Sequence, residues 1–177
     1  SNSFLITAAA NDSGADAYRL PPAQDDEDKL IHILEDQVHR ADLIVTTGGV
    51  SMGAYDPVKA AFLKLGTAEF HKVAMQPGMP QGFGSVGDLA IPIITLPGNP
   101  VSAMVAFEQF GRPVLRLMMG KPEVDKPSIE AIMDDPIRNH DGRRVYARVH
   151  AYRDSEGVYR AKSTGNQSSG VLSSMAQ

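Results

Sequence analysis

The chain has 177 residues, 42% of them hydrophobic and 21% charged, with a net charge of −4 and no cysteine. That length holds one ordinary domain, or one domain with a small appendage, and the apolar content is enough for a core. The composition excludes disulfides, thiolate metal sites and cysteine nucleophiles, and an acidic balance whose one like-charge block is "DDED" speaks against a general nucleic-acid or anionic-membrane binder.

In chain order, Phe4 to Ala10 reads as helix, stopped near Gly14. "DAYRLP" is a short strand candidate closed by Pro21 and Pro22. "DDEDKLIHILEDQVHRA" carries Leu30, Ile31, Leu34, Val38 and Ala41 at helical spacing, with acids at its start. "DLIVTT" is a continuous apolar strand of the kind buried in a parallel sheet. After the glycine-rich "GGVSMGAY", Asp56 and Pro57 read as cap and first residue of a helix running to Gly66. "AEFHKVAM" reads as strand, "QPGMPQGFGSVG" as a loop ending in a short strand, and "IPIITL" as a second buried strand. "PGNP" opens a long apolar helix with Asn99 as cap, Pro100 as first residue and a kink at Pro113.

This alternation predicts an α/β domain over residues 1–120, a three-layer, mostly parallel sheet with helices on both faces. Residues 121–177 change character, with alternating residues and turn signals at "HDG" and "DSEG", and predict a small all-β, barrel-like module. Both ends read as cut from something longer. No apolar run reaches the roughly 18 residues of a membrane span. The first residues lack the layout of a signal peptide. The expectation is a soluble, cytoplasmic protein with neither a nucleic-acid nor a membrane partner.

Two joints share one grammar of buried strand, Gly/Pro loop and capped helix: "DLIVTTGGVSMGAYDPVK" and "IPIITLPGNPVSAMV". Carboxyl ends of parallel strands lie on one edge, so such loops converge on one crevice, where helix-start N–H groups favour an anion. Thr47, Ser51 and Ser102 add hydroxyls, and glycine lets a ligand press against bare backbone. Spacing alone leaves a mere tight turn equally open. Asp56 is either a helix cap or a carboxylate for Mg²⁺ beside a phosphate. Lys72 is either an exposed strand lysine or a partner for an oxoanion. His71 reads as a strand-face residue, and His32 and His39 as solvated. Met104, Met118 and Met119 read as core filler. "HDGRRVYARVH" reads as a solvated hairpin, with Arg143, Arg144 and Arg148 as possible anion partners.

Taken together, "TTGGVSMGAYD", "FHKVAMQPGMPQGFG" and "LPGNPVSAMVAFEQFGRP" resemble the molybdopterin molybdenumtransferase family, also called MoeA, to which the E domain of gephyrin belongs. Their order matches that family's third domain, and "STGNQSSGVLSS" looks like part of its β-barrel fourth domain. The resemblance implies an enzyme that takes molybdate and adenylylated molybdopterin as substrates, uses Mg²⁺, releases AMP and works as a homodimer. Carried over, Asp56 acts at the metal and pyrophosphate and Lys72 contacts molybdate. Thr47, Gly48, Gly49, Val50, Ser51 and Gly53 cradle the phosphate side of the pterin, and Pro97, Gly98, Asn99, Pro100 and Ser102 form the facing loop. A molybdopterin adenylyltransferase, which shares the α/β domain, and a gephyrin-like scaffold are the competing readings.

Three departures stand out. Where many members read "KPGKP" this chain reads "QPGMP", so Gln76 and Met79 replace two lysines near the proposed molybdate pocket. An acid expected just before "SNS" is absent, and so are the family's first two domains. On this reading the piece by itself catalyses poorly.

Overall fold

The computed structural model describes residues 2–23, 26–50, 57–139 and 142–175. Its main body is a four-stranded sheet of order β1-β5-β4-β2, formed by β1 (Ile44–Thr47), β2 (Gly66–Lys72), β4 (Pro80–Val86) and β5 (Ile91–Leu96). β1 and β5 are parallel, pairing Ile44 with Ile93 through Thr47 with Leu96. β4 runs antiparallel to both of its neighbours. Three of the four strands therefore share one direction, and the carboxyl ends of β1, β2 and β5 lie on one rim. The α/β class is as expected; the reversed β4 is the difference, because seven residues read mainly as loop form a full strand. Its glycines explain both the reading and the pairing. A Cβ on Gly84 would lie 1.9 Å from the Thr67 carbonyl oxygen, and one on Gly82 2.8 Å from the Phe70 ring, so only glycine lets β4 close on β2.

Helices cover both faces. On one side α1 (Asn2–Asp12) and the helical run from Pro100 bury Ile6, Ala10, Ala103 and Phe107 against Ile94 and Leu96. On the other, α2 (Glu27–Gln37) and α3 (Pro57–Leu65) bury Leu34 and Phe62 against Val86 and Ile93. Successive residues of β5 serve opposite cores, the period of two that a sheet imposes. Each fully buried Phe, Ile or Leu side chain contributes about 1.5–3 kcal/mol. α2 starts as its acids predict: the Asp26 carboxylate accepts from the Lys29 backbone N–H. Gly14 ends α1 at a φ of +102°. "DAYRLP" forms no strand; Tyr18 instead donates from its hydroxyl to Gln37 at 2.6 Å, and the Ala17 N–H bonds the Asn11 side chain.

The run from Pro100 comprises α4 (Pro100–Ala106), a π-helical turn (Phe107–Gly111) and α5 (Arg112–Met118). The expected disturbance at Pro113 takes this form. Proline has no N–H for the Gln109 carbonyl, and the turn before it widens until the Arg112 N–H reaches Phe107. Met104 packs against the core as expected, whereas Met118 is exposed near the end of α5.

The C-terminal part contains a three-stranded sheet, β6 (Ile132–Met133), β9 (Tyr159–Ser163) and β8 (Val149–Arg153), and a closing 3₁₀ turn (Leu172–Met175). β7 (Arg144–Val145) leaves that module to pair with β3 (Met75–Gln76) in the α/β body, with the Arg144 N–H on the Ala74 carbonyl and the Tyr146 N–H on that of Gln76. The expected solvated hairpin is thus a docking strand followed by Arg148, which is buried.

Two carboxylates tie the module together. Hydrogen bonds from the Tyr152 hydroxyl and Arg160 hold the Asp134 carboxyl below the ordinary value of 3.8. The Ser163 backbone N–H and hydroxyl do the same for Asp135. A depressed carboxyl stabilises the fold above its unfolded value and loses that contribution as pH falls through its folded one. The module is therefore expected to lose stability as pH drops below 3.8, and Asp135→Asn to flatten that dependence in acid-unfolding followed by circular dichroism. An unchanged acid limb in Asp135→Asn would contradict this assignment.

Candidate functional site

Because β1 and β5 are parallel neighbours, the two loops leaving them start side by side, at Gly48 and Gly98. The Gly48 N–H donates to the Leu96 carbonyl at 2.8 Å, and a Cβ on Gly98 would find the Gly48 Cα 3.9 Å away. Gly48 and Gly49 hold φ of +93° and +78°, a region that glycine enters without the strain a side chain brings. Thr47 is the last residue of β1. Val50 is buried. Pro97 is buried, Gly98 and Asn99 are exposed, and Ser102 lies buried in the first turn of α4. Ser51, Gly53 and Asp56 fall outside the described residues.

Asn99 and Pro100 open α4 as expected, with Asn99 in the N-cap position, but the Asn99 side chain makes no capping hydrogen bond. Its side-chain amide donates instead to the Ser169 hydroxyl at 3.1 Å, and the Val101 N–H bonds the Ser169 carbonyl at 3.2 Å. From the other side the Asn2 amide donates to the Gly98 carbonyl at 2.7 Å. The rim loop is thereby held by residues far away in sequence.

Beside this crevice is a cavity of about 410 Å³ between the 75–80 segment, Ser102 and the C-terminal module. Gln76, Met79, Ser102, Arg143, Ser168 and Ser169 are among its walls. Gln81 supports it from behind, donating to the Gly78 carbonyl. A Cβ on Gly78 would lie 3.1 Å from the Met75 methyl and 3.5 Å from the Ser102 carbonyl, so the glycine keeps the 75–80 segment close to α4. Lys72 ends β2 on the same rim, exposed and outside the cavity's lining. His71 is the strand-face residue expected, stacked on Phe83 and bonded to Glu69. Among the described residues no group of three or more His, Asp or Glu is placed to hold a metal ion.

Of the cavity's walls the sequence singles out Arg143 and Ser102, but carries no sign of Gln167, Ser168 and Ser169. "STGNQSSG" reads only as part of the β module, because nothing local says that it touches a helix some 70 residues earlier.

The family profile described as "Probable molybdopterin binding domain" matches residues 1–117. The chain belongs to that family. A second profile, the MoeA C-terminal region (domain IV), matches residues 130–177, and the two together make this a MoeA-type chain. Among curated proteins it is 46% identical over 158 residues to molybdopterin molybdenumtransferase 2 of Mycobacterium tuberculosis, covering 84% of this chain and 38% of that protein. It is 37% identical over 180 residues to molybdopterin molybdenumtransferase 1 of the same organism, covering 99% and 42%. This MoeA-type chain therefore spans about two fifths of the length of those relatives. The molybdopterin biosynthesis MoeA protein of Pyrococcus horikoshii OT3 shares its fold at a TM-score of 0.74 and 23% identity, over 99% of this chain and 39% of that one.

Proposed function

We propose that this chain supplies the molybdopterin-binding body and part of the β module of an enzyme that inserts molybdenum into adenylylated molybdopterin and releases AMP. The observation that carries the reading is that the two glycine loops start side by side at the carboxyl ends of β1 and β5, with Gly48 bonded to Leu96 and bare backbone at Gly98. Relatives named molybdopterin molybdenumtransferases support the same chemistry. The crevice receives the phosphate side of the pterin, through Thr47, Gly48, Gly49, Ser51 and Gly53 on one loop and Pro97 to Pro100 on the other. The adjoining cavity receives molybdate, a tetrahedral oxoanion. Ser102, Ser168 and Ser169 bring hydroxyls to it and Arg143 a guanidinium, whose fork suits oxygen anions. Lys72 acts from the rim as a point charge. The substrate-binding unit corresponds to residues 1–120, with 121–177 closing the cavity.

Cleaving a phosphoric anhydride requires stabilisation of charge that develops on its oxygens, and little proton transfer by the protein. Mg²⁺, when bound, would supply part of that stabilisation. The described residues do not themselves form a metal site, and Asp56, the carboxylate assigned to it, lies outside them, so no step here runs through the metal. A homodimer in the cytoplasm is the setting the reading implies.

The test is AMP release from adenylylated molybdopterin, dependent on molybdate, by the full-length protein. No molybdate-dependent release would defeat the reading, and AMP transfer from ATP to molybdopterin would favour the adenylyltransferase instead. Within that assay Arg143→Ala is expected to raise the molybdate concentration for half-maximal rate about 10-fold or more, the value of a charge-assisted hydrogen bond. An unchanged requirement would remove Arg143 from the pocket.

A further inference from the structure

We infer that Arg148 is a positioning residue: from inside the β module it holds the Asn166–Ser169 turn against the start of α4 and so sets one wall of the cavity. The inference rests on the reading of that cavity as an oxoanion pocket.

Arg148 is 8% exposed, and no carboxylate pairs with it among the described residues. Its guanidinium is held by neutral acceptors. Nε donates to the Ser174 hydroxyl at 3.1 Å, and one terminal nitrogen donates to the carbonyls of Asn166 and Ser168 at 3.1 and 3.2 Å. Its backbone is gripped by the same segment. The Arg148 N–H donates to the Gln167 side chain at 2.8 Å, and the Arg148 carbonyl accepts from Gln167, the Thr164 N–H and the Thr164 hydroxyl. The turn thus wraps one buried cation. Its far end carries Ser169, which accepts from Asn99 and Val101 at the opening of α4. Arg148 thus grips one end of the turn and the rim loop the other, with cavity residues Gln167, Ser168 and Ser169 between them.

Burying a guanidinium without a countercharge is unfavourable, and burial pushes its pKa down from the ordinary arginine value. A neutral strut would hold a turn at lower cost. What arginine adds is a rigid fork able to meet a hydroxyl and two carbonyls together, which a lysine's single nitrogen does poorly. It also adds a positive charge that carbonyl acceptors leave unneutralised, directly behind a wall meant for an anion.

The test uses the full-length protein with Arg148→Lys and, as a gentler change, Ser174→Ala. Amide hydrogen exchange at Val101, whose N–H bonds Ser169, is expected to quicken about 10-fold in Arg148→Lys while amides of β5 keep their wild-type rates. The molybdate concentration for half-maximal AMP release should rise about 10-fold, with the maximal rate and the molybdopterin requirement within about 2-fold of wild type. A folded Arg148→Lys with unchanged exchange at Val101, or one that loses maximal rate at an unchanged molybdate requirement, would overturn the inference. If Arg148→Lys does not fold, Ser174→Ala decides: faster exchange at Val101 supports the inference and unchanged exchange overturns it. Should the wild type release no AMP, the proposed activity fails, and the exchange measurement still decides the role of Arg148.

Discussion

Gly49→Ala is expected to destabilise the protein by about 3 kcal/mol or more, the range of a clash added to backbone strain. An added Cβ would lie 2.4 Å from the Val58 Cβ and 2.5 and 2.7 Å from its two methyl carbons. Val58 is β-branched, sits in the first turn of α3 and packs against the core beneath, so it has no flexible end to swing away. The residue is also at a φ of +78°, which a side chain adopts only under strain. Relief would require α3 to move off β1, opening the crevice from below. Urea unfolding of the variant measures the loss directly. Gly98→Ala is the control, since its Cβ would meet nothing nearer than 3.9 Å and its φ is not positive. It should unfold within about 0.5 kcal/mol of wild type, yet bind molybdopterin more weakly because a methyl group stands on the rim. Equal stability for the two variants would refute the close approach of Gly49 to α3.

Asp56→Asn separates the two readings of the acid that precedes α3. Asparagine caps a helix about as well as aspartate, so a residue that only caps would leave both stability and activity unchanged. A carboxylate acting at the anhydride would instead lose its charge where charge matters. The expected result is a fall in AMP release of about 100-fold or more, the scale of one lost electrostatic group at a reacting centre. Molybdopterin affinity and the unfolding midpoint should stay near wild type. Calorimetry with molybdopterin and single-turnover AMP release together make the comparison, and wild-type turnover in the variant would return Asp56 to a capping role. The helix it precedes begins at Pro57, as its sequence predicts.

The exchange of two lysines for Gln76 and Met79 now has a location. Both residues line the cavity, where the charged side chain among the described walls is Arg143. The charge that the family resemblance assigns to "KPGKP" is missing from the 75–80 segment, and in our proposal the C-terminal module carries that burden, through Arg143 directly and Arg148 from behind. The cavity is accordingly a joint product of the two parts of the chain, stitched by the β3–β7 pairing and by Ser169 on α4.

By itself the sequence determined the elements whose signals are short-range. The apolar runs "LIVTT" and "IPIITL" are strands whose two faces meet opposite cores, buried in β5 and half-buried in β1 at the sheet edge. α2 is a helix because its apolar residues recur every three or four positions behind an acidic cap. Pro57 and Pro100 start helices because their missing N–H groups cost nothing there. The paired glycine loops followed from the same local grammar. Tertiary structure alone decided the rest. Gly82 and Gly84 look like loop until Phe70 and the Thr67 carbonyl are set against them, and the reversal of β4 follows from that pairing. The side chain of the N-cap residue Asn99 reads as a capping acceptor until Ser169 arrives from 70 residues away, and Arg148 reads as solvated until the Asn166–Ser169 turn closes over it. In each case the deciding atom lies far off in the chain, and a local pattern carries no record of the neighbour that folding will bring.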